Sequence, residues 1–271
     1  MNHFKLFLAV FCLISLMTQR DLLAAKKKSV KKGLASGLQV YEEQKMDGVS
    51  YRLMSPLNFD SSKKYPIIVS LHGAGGRGSD NRKQLKPWNA QLADEKIRSE
   101  YPAYVLAPQS TDLWDEADLK SVKAIIASMK NVDQDRIYVL GHSMGGHGTF
   151  IFIQLDQNYF AAAAPSAATG LKSTEKFIDA KKIKNIPIWT FHGEKDKTCP
   201  YAKVLVLFDE LKSLDGNMKL TTWKDGNHGV SDKFIPGEEG STSQVTSDDC
   251  DPEQDFLKWL FAQKLSDRKQ Q

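Results

Sequence analysis

Short apolar runs alternate along this chain with stretches of helical periodicity, and each run stops at a turn of glycine and polar residues. Tyr65 to Leu71 (YPIIVSL), Tyr104 to Ala107 (YVLA) and Arg136 to Leu140 (RIYVL) have strand length and almost no polar alternation. That is the pattern of strands buried on both faces. Phe160 to Ala164, Ile186 to Phe191 and Lys219 to Trp223 extend the series. Between them, Leu119 to Met129 puts Val122, Ile125, Ile126 and Met129 on one helical face, and Gly148 to Gln154 reads as helix. Asp133 to Asp135 break the chain before the third run, and Asp255 to Lys264 closes it as an amphipathic helix. Alternation of this kind predicts βαβ units: an α/β fold with a mostly parallel central sheet and helices on both faces. Such sheets bind ligands beyond the carboxyl ends of their strands.

The strand ends are where the chemistry collects. Leu140 is followed by Gly141-His142-Ser143-Met144-Gly145-Gly146, a G-x-S-x-G between a predicted strand and a predicted helix. The small residues permit a tight turn that lifts the Ser143 hydroxyl into a site, with the Met144 N–H aimed at the reacting centre. Leu71 is followed by His72-Gly73-Ala74-Gly75-Gly76. Its spacing fits neither G-x-G-x-x-G nor a P-loop, but it suits a loop lending a second oxyanion donor, from Ala74 or its neighbour Gly75. Phe191 is followed by His192-Gly193-Glu194-Lys195-Asp196, where either acid could orient a base. Trp223 is followed by Lys224-Asp225-Gly226-Asn227-His228-Gly229, which sets His228 in a glycine-flanked turn. The order Ser143, acid, His228 is that of the α/β-hydrolase arrangement. His72 and His142 are read as residues that orient loops, and His192 as a packing or hydrogen-bonding residue. No histidine pair has the H-E-x-x-H spacing of a zinc site, so no metal and no cofactor is expected.

The segments LHGAGGRGSDN (71 to 81), YVLAPQ (104 to 109) with Trp114, DQDRIYVLGHSMGGHGTF (133 to 150), FHGEKD (191 to 196) and DGNHG (225 to 229) together resemble exported esterases. The resemblance is to the polyhydroxybutyrate-depolymerase, feruloyl-esterase and predicted-peptidase type, and it runs from about residue 40 to 265. It implies an α/β-hydrolase fold with a Ser143–His228–Asp196 triad, and by position it selects Asp196 over Glu194. The chain departs from that pattern after His228. Val230 to Pro252 is longer and more polar than the family's usual passage to the last helix, and is read as a surface loop, with a rim to the acyl or alcohol pocket as the alternative. Cys199 and Cys250 would be the only cysteines left after export, and a disulfide between them is the expectation.

Lys5 and the apolar run Leu6 to Met17, followed by Ala24 and Ala25, read as a signal peptide over residues 1–25. Leu23 makes the cleavage box imperfect, so a retained membrane anchor is the alternative. Residues 26–37 form a basic linker, 38–265 the catalytic domain and 266–271 a polar tail. The protein would thus be secreted or periplasmic, with no stable membrane partner once cleaved. Composition adds an exclusion. The net charge of +4 hides an uneven distribution: residues 1–32 carry +6 and the rest of the chain −2. The body therefore lacks the basic surface that nucleic acid requires.

The expected activity is ester hydrolysis through an acyl-enzyme, on small acyl or carbohydrate-linked esters. The lack of a long insertion between Ala164 and Ile186 argues against a large lid. Trp114, Trp189 and Trp223 either stack on a substrate ring or lie buried. Alternatives on the same triad are a serine peptidase or an acyltransferase, and from another class, a non-catalytic exported binding protein.

Overall fold

The structure, a computed structural model, describes residues 37–169, 178–233 and 241–268. The expected signal peptide and nearly all of the expected linker lie outside these residues. So does part of the 165–185 segment on which the lid expectation rests.

Nine described strands form one sheet in the order β1-β2-β4-β3-β5-β6-β7-β8-β9. They are β1 (Glu42–Met46), β2 (Val49–Met54), β3 (Tyr65–Leu71), β4 (Tyr104–Pro108), β5 (Val132–His142), β6 (Ala162–Ser166), β7 (Ile188–Gly193), β8 (Met218–Trp223) and β9 (Ser241–Val245). From β4 through β8 every neighbouring pair is parallel, while β1, β2 and β9 pair antiparallel at the two edges. The helices are α1 (Pro87–Leu92), α2 (Glu95–Glu100), α3 (Glu116–Ser128), α4 (Met144–Leu155), α5 (Ala180–Ile183), α6 (Tyr201–Ser213) and α7 (Phe256–Ala262).

Alternate strand residues feed two separate cores, which places helices on both faces. Ile67, Val69, Ile137, Val139 and Leu220 pack with Val122 and Ile125 of α3, Phe152 of α4 and Leu207 of α6. Ile68, Val105, Tyr138, Leu140 and Trp189 pack instead with Trp88 of α1 and Phe256, Trp259 and Leu260 of α7. A strand sandwiched in this way has no polar face, which is why the central runs read as continuous apolar stretches. Helix α3 starts where Asp115 accepts the Asp118 N–H and Asp118 accepts the Asp115 N–H, a reciprocal cap.

Three expectations need correction. Asp133 to Asp135 do not precede β5 but lie within it. The ladder to β3 skips from Tyr65↔Val132 to Ile67↔Ile137, so these residues bulge out, with Asp133 bonding the Arg136 side chain at 2.7 Å. The polar stretch after His228 is not all surface loop, because Ser241–Val245 pairs with β8 as an edge strand. Finally, Cys199 and Cys250 are both free and buried. Cys250 Sγ lies 3.6 Å from the carbonyl of Met218, at the start of β8, whereas Cys199 adjoins Asp196 past the end of β7. The length of a six-residue strand, roughly 16 Å at strand rise, separates those positions, far beyond disulfide reach.

The order β4-β3-β5 contains a reversal: the chain leaves β3 to one side for β4, then returns to the other side for β5. A crevice opens at such a reversal beyond the carboxyl ends. It lies between the ends of β3 and β5, where Leu71 pairs with Gly141.

Candidate active site

Ser143 occupies the sharp turn from β5 into α4, with φ 58° and ψ −119°. This is a left-handed conformation that a non-glycine residue adopts only when its surroundings impose it. The imposition comes from packing. A Cβ on Gly145 would collide with the backbone of Leu71 at the end of β3, so only glycine lets α4 start this close to the sheet. One turn on, a Cβ on Gly148 would meet the Trp114 ring at 2.5 Å. The Ser143 N–H is held by the carbonyl of Ser166 at 2.9 Å, anchoring the turn to β6.

His228 stands opposite. Its Nε2 lies 2.9 Å from Ser143 Oγ and its Nδ1 lies 2.8 Å from Asp196 Oδ2. Asp196 Oδ1 accepts the backbone N–H groups of Thr198 (2.8 Å) and Cys199 (2.9 Å). Burial pulls the Asp196 carboxyl upward, but the bonds from His228 and from those two N–H groups outweigh it, so its pKa sits below the usual carboxylate range. Glu194, the rival acid, is exposed on the same turn. The Asp196 and His228 loops are tied together by Lys195 N–H to the Gly226 carbonyl (2.8 Å) and by an exposed Lys195–Asp225 ion pair (2.6 Å).

The expected oxyanion donors lie on the two sides of the crevice. Met144 is the first residue of α4, and Ala74 opens a one-turn 3₁₀ segment, Ala74–Gly76. A Cβ on Gly73 would stand 3.7 Å from Ser143 Cβ, so this loop passes directly beside the serine. Neither the Met144 nor the Ala74 N–H is bonded to another described residue.

The remaining histidines hold this frame. His72 is fully buried; its Nε2 accepts the Ser110 N–H (3.0 Å) and its Nδ1 donates to the Gly73 carbonyl (2.8 Å). The His142 ring packs against that of His228, centroids 4.8 Å apart, with Nδ1 3.0 Å from Ser166 Oγ. His192 Nε2 donates to the Cys199 carbonyl at 2.7 Å. Trp114, Trp189 and Trp223 are all buried, which settles them as core residues rather than platforms for a substrate ring. The residues that sequence reasoning missed are Thr198 and Cys199, whose N–H groups orient Asp196. The signal was present, since an Asp that bonds the N–H two residues on is a common turn device.

Burial gives these histidines a consequence for stability. It lowers His72 and His147 to about 4, and lowers His142, with help from His228, to about 3. In the unfolded chain each would titrate near 6.5. Below that pH the unfolded state binds more protons, so the stability they contribute is full above about pH 6.5 and drains away as pH falls toward 4. Asp118 acts in the opposite sense, because burial raises it to about 6 and the folded state takes up its proton first. Burial lowers His192 as well, so four groups outweigh one, and we expect Tm to be lower at pH 5 than at pH 7.5 by roughly 5 °C or more. A Tm that is flat or rises on acidification would contradict this balance.

The family model for the dienelactone hydrolase family matches residues 98–263, more than half of the sequence. The chain belongs to the dienelactone hydrolase family. Among its relatives is a bifunctional acetylxylan esterase/xylanase of Neocallimastix patriciarum, 26% identical over 167 residues, covering 60% of this chain and 24% of that protein. Another is a probable dipeptidyl-aminopeptidase B of Colletotrichum graminicola, 24% identical over 230 residues, covering 70% of this chain and 25% of that one. The chain thus spans about a quarter of the length of these curated relatives. A solved thermostable esterase superposes with a TM-score of 0.64 at 29% identity, covering 84% of this chain and 64% of its own. The mostly parallel nine-stranded sheet with flanking helices is the α/β-hydrolase fold shared with that structure.

Proposed function

We propose that this member of the dienelactone hydrolase family is an exported serine hydrolase that cleaves carboxylic esters. The observation that carries the reading is the continuous hydrogen-bonded path from Ser143 Oγ through His228 to Asp196, at 2.9 and 2.8 Å. His228 Nε2 takes the Ser143 proton as the hydroxyl attacks the ester carbonyl, then returns it to the leaving alcohol. Asp196 fixes the tautomer with the proton on Nδ1 and stabilises the imidazolium that forms. The N–H groups of Met144 and Ala74 receive the developing oxyanion, and water activated by His228 clears the acyl-enzyme. These steps are carried by the chain's own residues.

The acetylxylan esterase relative supports small acyl groups on carbohydrate as the substrate class. The dipeptidyl-aminopeptidase relative favours a second reading, peptide cleavage on the same triad. Export rests on the leader over residues 1–25. The test is the initial rate of p-nitrophenyl acetate hydrolysis by the mature chain, set beside an N-terminally free dipeptidyl p-nitroanilide. Faster release from the ester supports the esterase reading, and release from the anilide alone would replace it with the peptidase.

A further inference from the structure

We propose that Asp196, Cys199 and His228 form a binding site for a thiophilic divalent cation such as Zn²⁺, whose occupancy switches the active site off. The inhibitory consequence rests on the serine-hydrolase reading above; the binding does not. One ligand atom from each residue (a carboxylate oxygen, a thiol sulfur and a ring nitrogen) lies within 4.8 Å of the other two. Carboxylate, thiolate and imidazole are the ligands zinc takes, at about 2.0–2.3 Å, so a small inward movement brings all three into its coordination sphere.

The surroundings hold these ligands in place. Cys199 is fixed at both ends of its backbone, its N–H given to Asp196 Oδ1 and its carbonyl bonded by His192 Nε2 at 2.7 Å. Asp196 Oδ1 is occupied by the Thr198 and Cys199 N–H groups, which leaves Oδ2 as the oxygen that faces His228. Such supporting bonds orient ligands toward a metal. Cys199 and the Asp196 side chain are fully buried, while the His228 side chain is 28% exposed and supplies the path of entry. The other cysteine of the folded body cannot compete for this thiol, since Cys250 lies at the opposite end of β8.

The switch follows from proton bookkeeping. As sulfur binds the cation, the S–H bond breaks and its proton passes to solvent. As Nδ1 binds, its proton is lost there and one is gained at Nε2, so the imidazole stays neutral. Asp196 is already ionised and gives up none, and one proton is released in all. The Nε2–H tautomer can donate to Ser143 Oγ but cannot accept from it, which removes the general base.

The experiment uses the full chain at fixed pH, with Zn²⁺ titrated into p-nitrophenyl acetate hydrolysis and Cd²⁺ read by its thiolate charge-transfer absorbance. We expect micromolar Zn²⁺ to inhibit, a chelator to restore the rate, and Cd²⁺ to give the thiolate band at one equivalent. Cys199→Ser, or Cys199→Ala if the serine variant fails to fold, should lose the band and weaken inhibition by about tenfold or more. Cys12→Ser and Cys250→Ser should keep both. Absence of the band, or a band and inhibition unchanged without the Cys199 thiol, overturns the site even if Ser143-dependent hydrolysis is intact. A band that needs both Cys199 and His228 in a chain with no hydrolysis would sustain the site and sink the hydrolase reading instead.

Discussion

Replacing Ser143 by alanine lowers kcat for p-nitrophenyl acetate by about 10⁴-fold or more, with the chain still folded. The size follows from the role. Without the hydroxyl no acyl-enzyme forms, and what survives is binding plus oxyanion stabilisation, which in other triads is a small residue of the whole. The variant is clean because alanine keeps the Cβ that the turn already accommodates at φ 58°, and the backbone bond to Ser166 does not involve the side chain. Circular dichroism and Tm should therefore match wild type. A variant that keeps a tenth of the activity would mean that another group performs the attack.

The second large effect separates the two acids. Asp196→Asn should lower kcat by about 10⁴-fold, because the amide donates where the carboxylate accepted and His228 turns to the tautomer with its proton on Nε2. Asparagine can still accept the Thr198 and Cys199 N–H groups, so the fold at the turn survives. Glu194→Gln should change kcat by less than about twofold, since that side chain is exposed and the Asp196 carboxylate carries the bond to His228. Equal losses in the two variants would contradict the assignment. Measured side by side on one ester, they need no knowledge of the natural substrate.

The parts of the candidate site that are legible in the sequence share a physical cause. Strands buried on both faces must be apolar, and the turns at their carboxyl ends must be tight, so Leu71, Leu140, Phe191 and Trp223 each mark a boundary against glycine-rich segments. Ser143, Asp196 and His228 became legible together because the sheet brings those ends side by side. What patterning could not choose was which acid: Glu194 and Asp196 differ by two positions, and only the folded turn reveals that two backbone N–H groups converge on one of them.

The elements that went unread are polar. β1 (EEQKM) and β9 (STSQV) are edge strands with mostly exposed side chains, so neither carries the hydrophobic signal of a buried strand. Their pairing is decided by a neighbour's free edge, β2 in one case and β8 in the other. The disulfide expectation failed for a related reason. Counting cysteines left after export says nothing of which end of a strand each occupies, and β8 holds Cys199 and Cys250 apart.

The central claim, that Ser143 is an activated nucleophile, is tested most directly by covalent capture. The chain is incubated with a fluorophosphonate and its intact mass and peptide map are recorded, beside Ser143→Ala and His228→Ala. We expect one adduct per chain, located on Ser143, absent from the alanine variant at that position and formed far more slowly without His228. A folded wild-type chain that takes no label, or takes it at another residue as fast as before when Ser143 is removed, would contradict the account.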